Sequence, residues 1–197
     1  MDYTVLSGLV RTFAGAADSI QKYQFTDARY LLFFHGGSRG NPGPGGSGAV
    51  IVRLAAEITI EWMATISFRR HDTTNNYAEF NGQCTGLEAA ARYQWQPLTV
   101  IGDSHMILGL TRRRRAPSAP KLLPLYHQAR RAALKLCITE WRHHYCVRNK
   151  MADIAANIAM DSPTSMQTLA SDGRSELQEL QPWLHNDVEH WLETLSR

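Results

Sequence analysis

A glycine- and proline-rich segment, residues 36–46, separates two short apolar runs at 30–34 and 49–54. So many glycines and prolines cannot extend a regular element, so the segment predicts a shaped turn. The flanking runs have the length of buried strands, and a third run begins at Ile58 and extends to Met63 or as far as Phe68. Three strands joined by short links predict an antiparallel meander.

The remaining pattern alternates helices with strands. Apolar residues fall on one face of a predicted helix over 74–92, with Thr74 or Asn75 as its cap. A strand at 98–101, a short helix ending near Thr111, a helix at 121–136, a strand at 137–143 and a helix at 150–160 follow. This order predicts an α/β fold, in which helices flank a mixed five-stranded sheet with three antiparallel and two parallel strands.

Both ends of the chain extend beyond this pattern. Residues 1–28 are predicted to form an N-terminal extension with a weak helical pattern over 10–20, and residues 29–161 form the main domain. Residues 162–197 are predicted to contain a linker, Ser162-Pro163-Thr164-Ser165, and an amphipathic C-terminal helix. That helix either packs on the same domain or binds a partner.

The composition indicates a globular protein of the cell interior. The three cysteines are widely spaced and form no CxxC pair, which favours a reduced compartment, nucleus or cytoplasm, and disfavours a structural zinc site. No apolar run approaches the length of a membrane span, so a membrane partner is not expected. The net charge of +3 decides little, but four consecutive arginines, Arg112, Arg113, Arg114 and Arg115, form a local positive field.

Three acidic residues stand at predicted element ends: Glu79 in the first turns of a helix, Asp103 after the fourth strand and Asp153 at the start of the last helix. Taken singly, each is best explained as a solvated carboxylate at a helix end. Carboxylates that converge at the carboxyl end of neighbouring strands would instead repel one another unless cations lay between them. Clustered oxygen ligands suit Mg²⁺ or Mn²⁺, and two such ions can hydrolyse a phosphodiester.

Several motifs resemble those of type 1 ribonucleases H. The segment from His35 to Gly46 is similar to the turn after the family's first strand, and Thr74-Asn75-Asn76-Tyr77-Ala78-Glu79 resembles its TNNxxE helix start. Gly102-Asp103-Ser104 and the stretch from His143 to Asp153 resemble the regions of its third and fourth acids. The similarity covers roughly residues 29–161, and the order and spacing of the motifs make it specific.

The resemblance implies an endonuclease that uses two Mg²⁺ or Mn²⁺ ions to cut the RNA strand of RNA·DNA hybrids, with His35, Glu79, Asp103 and Asp153 as its catalytic and metal-binding positions. It implies no small-molecule substrate. Asparagine side chains suit 2′-hydroxyls and base edges, bare glycine permits close approach of a strand, and arginines suit phosphates. The predicted nucleic-acid contacts are Gly36, Gly37, Ser38, Asn41, Thr74, Asn75, Asn76, Ser104, Arg112, Arg113, Arg114 and Arg115. For Ser104 and the asparagines, helix capping is the alternative, and the arginine run is alternatively a solvated charge run or a nuclear-import signal.

His35 departs from the family, whose first catalytic residue is an aspartate that touches both ions. An imidazole offers one lone pair to a given site, whereas a carboxylate can bridge two ions. The lost charge corresponds to at most about 4 kcal/mol per ion at intermediate dielectric. Three explanations stay open: a silenced protein that still binds hybrids, weak activity with Mn²⁺, or a single-base change in an otherwise intact copy.

Three functions therefore compete. The first is a ribonuclease H-type enzyme with impaired activity, free-standing or joined to a reverse transcriptase or another domain of a polyprotein. The second is a catalytically silent module that binds RNA·DNA hybrids, which His35 favours. The third is an interaction protein that uses the C-terminal helix.

Overall fold

The computed structural model describes residues 9–11, 23–25 and 27–195. The strands are β1 (Leu9–Arg11), β2 (Tyr23–Phe25), β3 (Arg29–Ser38), β4 (Gly45–Leu54), β5 (Ile58–Phe68), β6 (Leu98–Gly102), β7 (Ile138–His143) and β8 (Met166–Leu169). The α-helices are α1 (Asn75–Tyr93), α2 (His105–Arg112), α3 (Leu123–Ala133), α4 (Lys150–Asp161) and α5 (Gln181–Leu195).

A mixed sheet with the strand order β7-β6-β3-β4-β5-β8 is the centre of the fold. The pairs β3–β6 and β6–β7 are parallel, and the other neighbours are antiparallel. The predicted mixed α/β sheet is confirmed, but its count of five strands is wrong, because β8 adds a sixth along β5. This strand is only four residues long and begins directly after the predicted linker, Ser162 to Ser165. So short a run carries little periodic signal.

The glycines around the first hairpin continue its strands, and the prediction that residues 36–46 form a turn is therefore too broad. Strand β3 runs on to Ser38 and β4 begins at Gly45, which leaves 39–44 as the turn. A Cβ on Gly36 would lie 2.3 Å from the backbone of Ala78 in α1, and one on Gly48 would lie 2.3 Å from the carbonyl oxygen of Ala152 in α4. Glycine is used here because two helices lie directly against the sheet.

The sheet is covered on both faces. Phe33 and Phe34 are adjacent and fully buried, and they enter opposite clusters, as the alternation of a strand requires. One cluster contains Phe80 of α1 and side chains of α2 and α3, and the other contains Met151 of α4 and side chains of α5. The first turns of α1 and α4 thereby flank the end of β3 from opposite faces.

The two ends of the chain differ from the sequence expectations. Strands β1 and β2 pair antiparallel, with Leu9 opposite Phe25, so the predicted helical pattern over 10–20 is wrong at Val10 and Arg11, and the rest of it lies outside the described residues. Helix α5 packs on the main domain, which is the first of the two alternatives for the C-terminal helix. Among the described residues, no helix is long and apolar enough to cross a bilayer.

Candidate metal and nucleic-acid site

Four side chains predicted from the sequence meet at the carboxyl end of the parallel strands. His35 lies in β3, Asp103 follows β6, Glu79 lies in the first turns of α1, and Asp153 lies in the first turn of α4. His35, Glu79 and Asp103 each offer a ligand atom within 4.8 Å of the others. Asp153 stands beside this group, with Oδ1 3.8 Å from Nε2 of His35.

Close helix–sheet contacts bring the acids there. Helix α1 lies against Gly36, and a Cβ at Gly82 would come within 2.9 Å of the carbonyl oxygen of His35. Thr74 caps α1 by accepting a hydrogen bond from the backbone N–H of Tyr77 at 3.3 Å. With its start fixed in this way, α1 holds Glu79 next to His35.

The His35 ring lies between two of the carboxylates. Its Nδ1–H donates to Asp103, whose Oδ1 and Oδ2 lie 3.0 Å and 2.9 Å away. Its Nε2 faces Asp153 on the other side. The imidazole therefore lies between the carboxylates of Asp103 and Asp153, which are both predicted metal ligands.

The site concentrates negative charge in a partly buried place. Burial raises the pKa of Glu79 to about 7, and the nearby Asp103 charge acts in the same direction. Burial by itself lowers the pKa of His35, but the hydrogen bond to Asp103 and the charges of the three acids raise it above its ordinary value. The two shifts have different origins: burial dominates at Glu79, whereas at His35 the neighbouring carboxylates outweigh the effect of burial.

Asp153 is held by its own helix. Nζ of Lys150 lies 3.0 Å from Oδ2 of Asp153, and the amide nitrogen of Asn157 donates to Oδ1 at 3.0 Å. The start of α4 is anchored twice: Asn149 donates to the carbonyl oxygen of Phe34 at 2.9 Å, and Asp187 of α5 accepts from the N–H of Met151 at 2.8 Å. These contacts fix the position of Asp153 relative to the sheet.

The donor set fits one divalent ion better than two. His35, Glu79 and Asp103 supply one nitrogen and two carboxylate ligands around a single point, a combination that suits Mn²⁺ or Zn²⁺ more than Mg²⁺. A second ion next to the first requires a bridging carboxylate, and the imidazole of His35 cannot supply one. The residues present do not fit a pair of Mg²⁺ ions.

Polar residues of the hairpin turn and of α1 form one hydrogen-bonded cluster. Oδ1 of Asn75 accepts from the backbone N–H and the hydroxyl of Ser38 at 2.9 Å and 3.0 Å, and Oδ1 of Asn41 accepts from the N–H of Asn75 at 3.0 Å. Asn75 and Asn76 are both exposed. Of the two predicted caps of α1, Thr74 is confirmed. Asn75 does not cap the helix, and its amide oxygen holds the turn instead.

Two of the predicted contacts have other uses. Gly36 is buried under α1, so its missing side chain makes room for the helix, and we remove it from the expected nucleic-acid contacts. Gly37 is half-buried, and a Cβ there would meet only the end of Met160 at 3.9 Å. Ser104 caps α2 by accepting from the N–H of Ile107 at 3.4 Å, and its hydroxyl also hydrogen-bonds to Glu79.

The four arginines divide between two cavities. Arg113 and Arg115 line a cavity of about 690 Å³ together with Asn76 and His105. Arg112 and Arg114 line a different cavity, of about 280 Å³. The arginine run, predicted to act as one phosphate-binding segment, thus lines two separate cavities. Only Arg113 and Arg115 share a cavity with residues beside the acids.

Sequence reasoning missed several residues around the site. His105 stacks on His143, with ring centroids 3.5 Å apart, and Nε2–H of His143 donates to the carbonyl oxygen of Asp103 at 3.0 Å. His105 directly follows the Asp103-Ser104 pair, which is a weak signal. Lys150 lies three residues before Asp153, a spacing that predicts an ion pair in a helix. Asp187 has no sequence signal, because it is remote in the chain.

Comparison with known proteins gives a consistent result. Residues 33–159 match the reverse transcriptase-like family. A bifunctional protein of Mycobacterium tuberculosis is 36% identical over 137 residues, which are 70% of this chain and 36% of that protein. This chain therefore spans well under half the length of that relative.

Two solved structures extend the similarity. The N-terminal ribonuclease H domain of that Mycobacterium tuberculosis protein is 34% identical, with a TM-score of 0.61 over 68% of this chain and 95% of that one. Ribonuclease H1 of the archaeon Halobacterium salinarum is 30% identical, with a TM-score of 0.58 over 68% of this chain and 98% of that one. In both comparisons nearly all of the other solved chain is covered, which for the Mycobacterium tuberculosis protein is its N-terminal domain.

Proposed function

The chain belongs to the reverse transcriptase-like family and has a ribonuclease H-like domain, and from this premise we propose that it recognises RNA·DNA hybrids at the site around His35. The reaction that belongs to such a site is hydrolysis of the RNA strand. In this chain we propose that the reaction is strongly impaired, because His35 stands at the bridging position.

The observation that carries the proposal is the convergence of His35, Glu79 and Asp103 within 4.8 Å at the carboxyl end of β3 and β6. Divalent ions held by such carboxylates polarise a phosphodiester and activate a water molecule. Glu79 lies in a half-buried cluster of carboxylates where burial raises its pKa, and a perturbed carboxylate of this kind favours a cation-binding role.

Hybrid recognition rests on the groups beside the acids. Asn76 is exposed and shares a cavity with Arg113 and Arg115. Amide groups can donate to and accept from 2′-hydroxyls across a wide minor groove, and guanidinium groups bind phosphates on the flanking strand. Asn41, Asn75 and Ser38 hold the hairpin turn at the edge of the same surface and present further polar groups. Such contacts read the shape and backbone of a hybrid and are independent of base sequence.

His35 supports a second candidate function, a catalytically silent hybrid-binding module. The His35 ring hydrogen-bonds to Asp103 through Nδ1 and faces Asp153 through Nε2. Two acids therefore already have a partner in the absence of any ion. Binding through asparagines and arginines does not need the acids and would survive. Association with a reverse transcriptase or another domain of a polyprotein stays a prediction.

Residual cleavage by the natural chain, measured beside one substitution, separates the two candidates. We expect His35→Asp to restore cleavage of a labelled RNA·DNA hybrid in Mg²⁺ by at least about 100-fold, since it returns the bridging carboxylate that the two-ion reaction needs. The natural chain should bind the same hybrid with similar affinity but cut it weakly or only with Mn²⁺. His35→Asp combined with Glu79→Gln is the matched control and should be inactive. A natural chain that cuts as fast as His35→Asp would show that the reaction needs no carboxylate at position 35.

A further inference from the structure

A second cationic cavity lies away from the acids, between the ends of α2 and α3 and strand β7. It has a volume of about 280 Å³ and is lined by three arginines, Arg112, Arg114 and Arg130. Two of them belong to the arginine run, and Arg130 comes from α3. Helix α2 separates this cavity from the site: its eight residues span about 12 Å from His105 to Arg112 at 1.5 Å per residue.

Among the described residues that line this cavity, none is an aspartate or a glutamate that would balance the three arginines. Within the described part of the chain, the ion pairs leave out all three of these arginines. Like charges brought together around one cavity repel each other unless an anion lies between them.

Backbone geometry holds two of the arginines in place. Arg114 has a φ of +55°, a left-handed conformation that a non-glycine residue adopts at a cost of about 1–2 kcal/mol. Its N–H bonds to the carbonyl oxygen of Thr111 at 3.4 Å, and Nη1 of Arg130 donates to the same oxygen at 3.4 Å. Thr111 is itself fully buried and bonded to Gln83 at 2.6 Å, so both arginines are attached to a rigid point.

Apart from Thr111 and the three arginines, the residues that line the cavity are apolar. Leu136, Ile138 and Trp141 are partly buried against the core, and Leu134 is 71% exposed. A rim of guanidinium groups around an apolar wall is suited to a phosphate that carries a base or sugar, because arginine binds phosphate in a fork and the wall accepts the less polar part.

We propose that Arg112, Arg114 and Arg130 form a phosphate-binding site separate from the hybrid-facing pair Arg113 and Arg115. The phosphate belongs either to a free polyphosphate such as a nucleoside triphosphate or to the backbone of a nucleic acid that extends past α2. This site does not depend on the cleavage chemistry around His35.

Adjacent residues of the arginine run provide matched variants for the test. Arg112→Gln/Arg114→Gln and Arg113→Gln/Arg115→Gln remove the same charge from neighbouring positions but from different cavities. Arg130→Gln tests the same cavity from another helix, and Arg130→Lys keeps the charge while it removes the fork. Two titrations are measured for each folded variant: calorimetric binding of ATP, and the salt dependence of affinity for an RNA·DNA hybrid.

A site for free polyphosphate predicts that ATP affinity falls at least tenfold in Arg112→Gln/Arg114→Gln and in Arg130→Gln, and less than twofold in Arg113→Gln/Arg115→Gln. A site for backbone phosphate predicts no ATP binding, but a salt slope that falls by about 0.7–0.9 for each phosphate that a variant no longer neutralises, in Arg130→Gln as well as in Arg112→Gln/Arg114→Gln. The proposal is overturned if Arg130→Gln changes neither titration, or if the two double variants lower ATP affinity equally.

Discussion

Among single residues, we propose that the one at position 35 has the largest effect on what the site can do. Three acids surround position 35. The side chain at that position determines whether cations or an imidazole balance the negative charge of these acids. The hydrogen bond from His35 to Asp103 and the ion pair between Lys150 and Asp153 both supply positive charge from within the chain. A protein that satisfies its own acids has less affinity for external cations.

Another histidine, His144, gives a testable dependence of stability on pH. It is 1% exposed, its Nδ1–H donates to the carbonyl oxygen of Arg148, and burial lowers its pKa to about 4. The folded pKa lies below the ordinary value of 6.5, so the neutral ring stabilises the fold above that value and the contribution is lost as pH falls towards 4. The difference corresponds to at most about 3 kcal/mol.

We expect His144→Asn, which keeps a donor near Nδ1, to lose less free energy of unfolding between pH 7 and pH 4.5 than the natural chain. Urea denaturation at the two pH values measures this. His185→Asn is the control, because His185 is exposed. Equal acid sensitivity of His144→Asn and the natural chain would contradict a buried neutral ring.

Most site residues were predictable because they stand in local motifs. Glu79, Asp103 and Asp153 each lie next to a recognisable element boundary, and the structure brings them to the same edge of the sheet. The partners that hold them were not predictable in this way. Asp187 lies 36 residues from Met151, whose N–H donates a hydrogen bond to it, and the division of the arginine run depends on how α2 ends at Arg112. Tertiary contacts of this kind leave no periodic trace.

At the scale of elements, the close approach of α1 and α4 to the sheet shapes the site. Within residues 29–161 the strand and helix order was predicted correctly, since the apolar runs are well separated. The extent of β3 and β4 was underestimated, because glycine normally weakens a strand and its use for helix contact shows only in three dimensions. Strand β8 was missed for its short length.

The contact between α4 and the sheet can be tested at one glycine. A Cβ at Gly48 would lie 2.3 Å from the carbonyl oxygen of Ala152, so Gly48→Ala must push α4 away and should cost about 1–3 kcal/mol or more. Gly109→Ala is the matched control, because a Cβ there meets nothing within 4 Å and alanine favours a helix by up to about 1 kcal/mol. Denaturant unfolding compares the two. Similar stability of both variants would mean that the helix is not held against β4.

At the scale of the whole molecule, the C-terminal segment completes the domain. Strand β8, residues 166–169, adds a sixth strand at the edge of the sheet. Leu184, Val188 and Trp191 of α5 enter the same cluster as Met151 of α4. The family match ends at residue 159, before this segment begins. The domain of this chain therefore includes structure that the family motifs do not cover.

Asp187 connects that segment to the helix that carries Asp153. We expect Asp187→Ala to lower the free energy of unfolding by about 1–3 kcal/mol, because it leaves the buried N–H of Met151 without an acceptor. Asp187→Asn should lose less, since it keeps a carbonyl oxygen and removes a charge whose burial raises the pKa of Asp187. Equal losses for both substitutions, measured by urea unfolding at pH 7, would argue against the capping contact.

We propose that His35 removes the bridge between two metal ions. The most direct measurement is the number of Mn²⁺ ions bound per chain, from calorimetry combined with electron paramagnetic resonance of free Mn²⁺. The natural chain should bind at most one ion, and His35→Asp should bind two, with the magnetic signature of a coupled pair. Two coupled ions in the natural chain would contradict the account, because its site would then have a bridge that His35 does not provide.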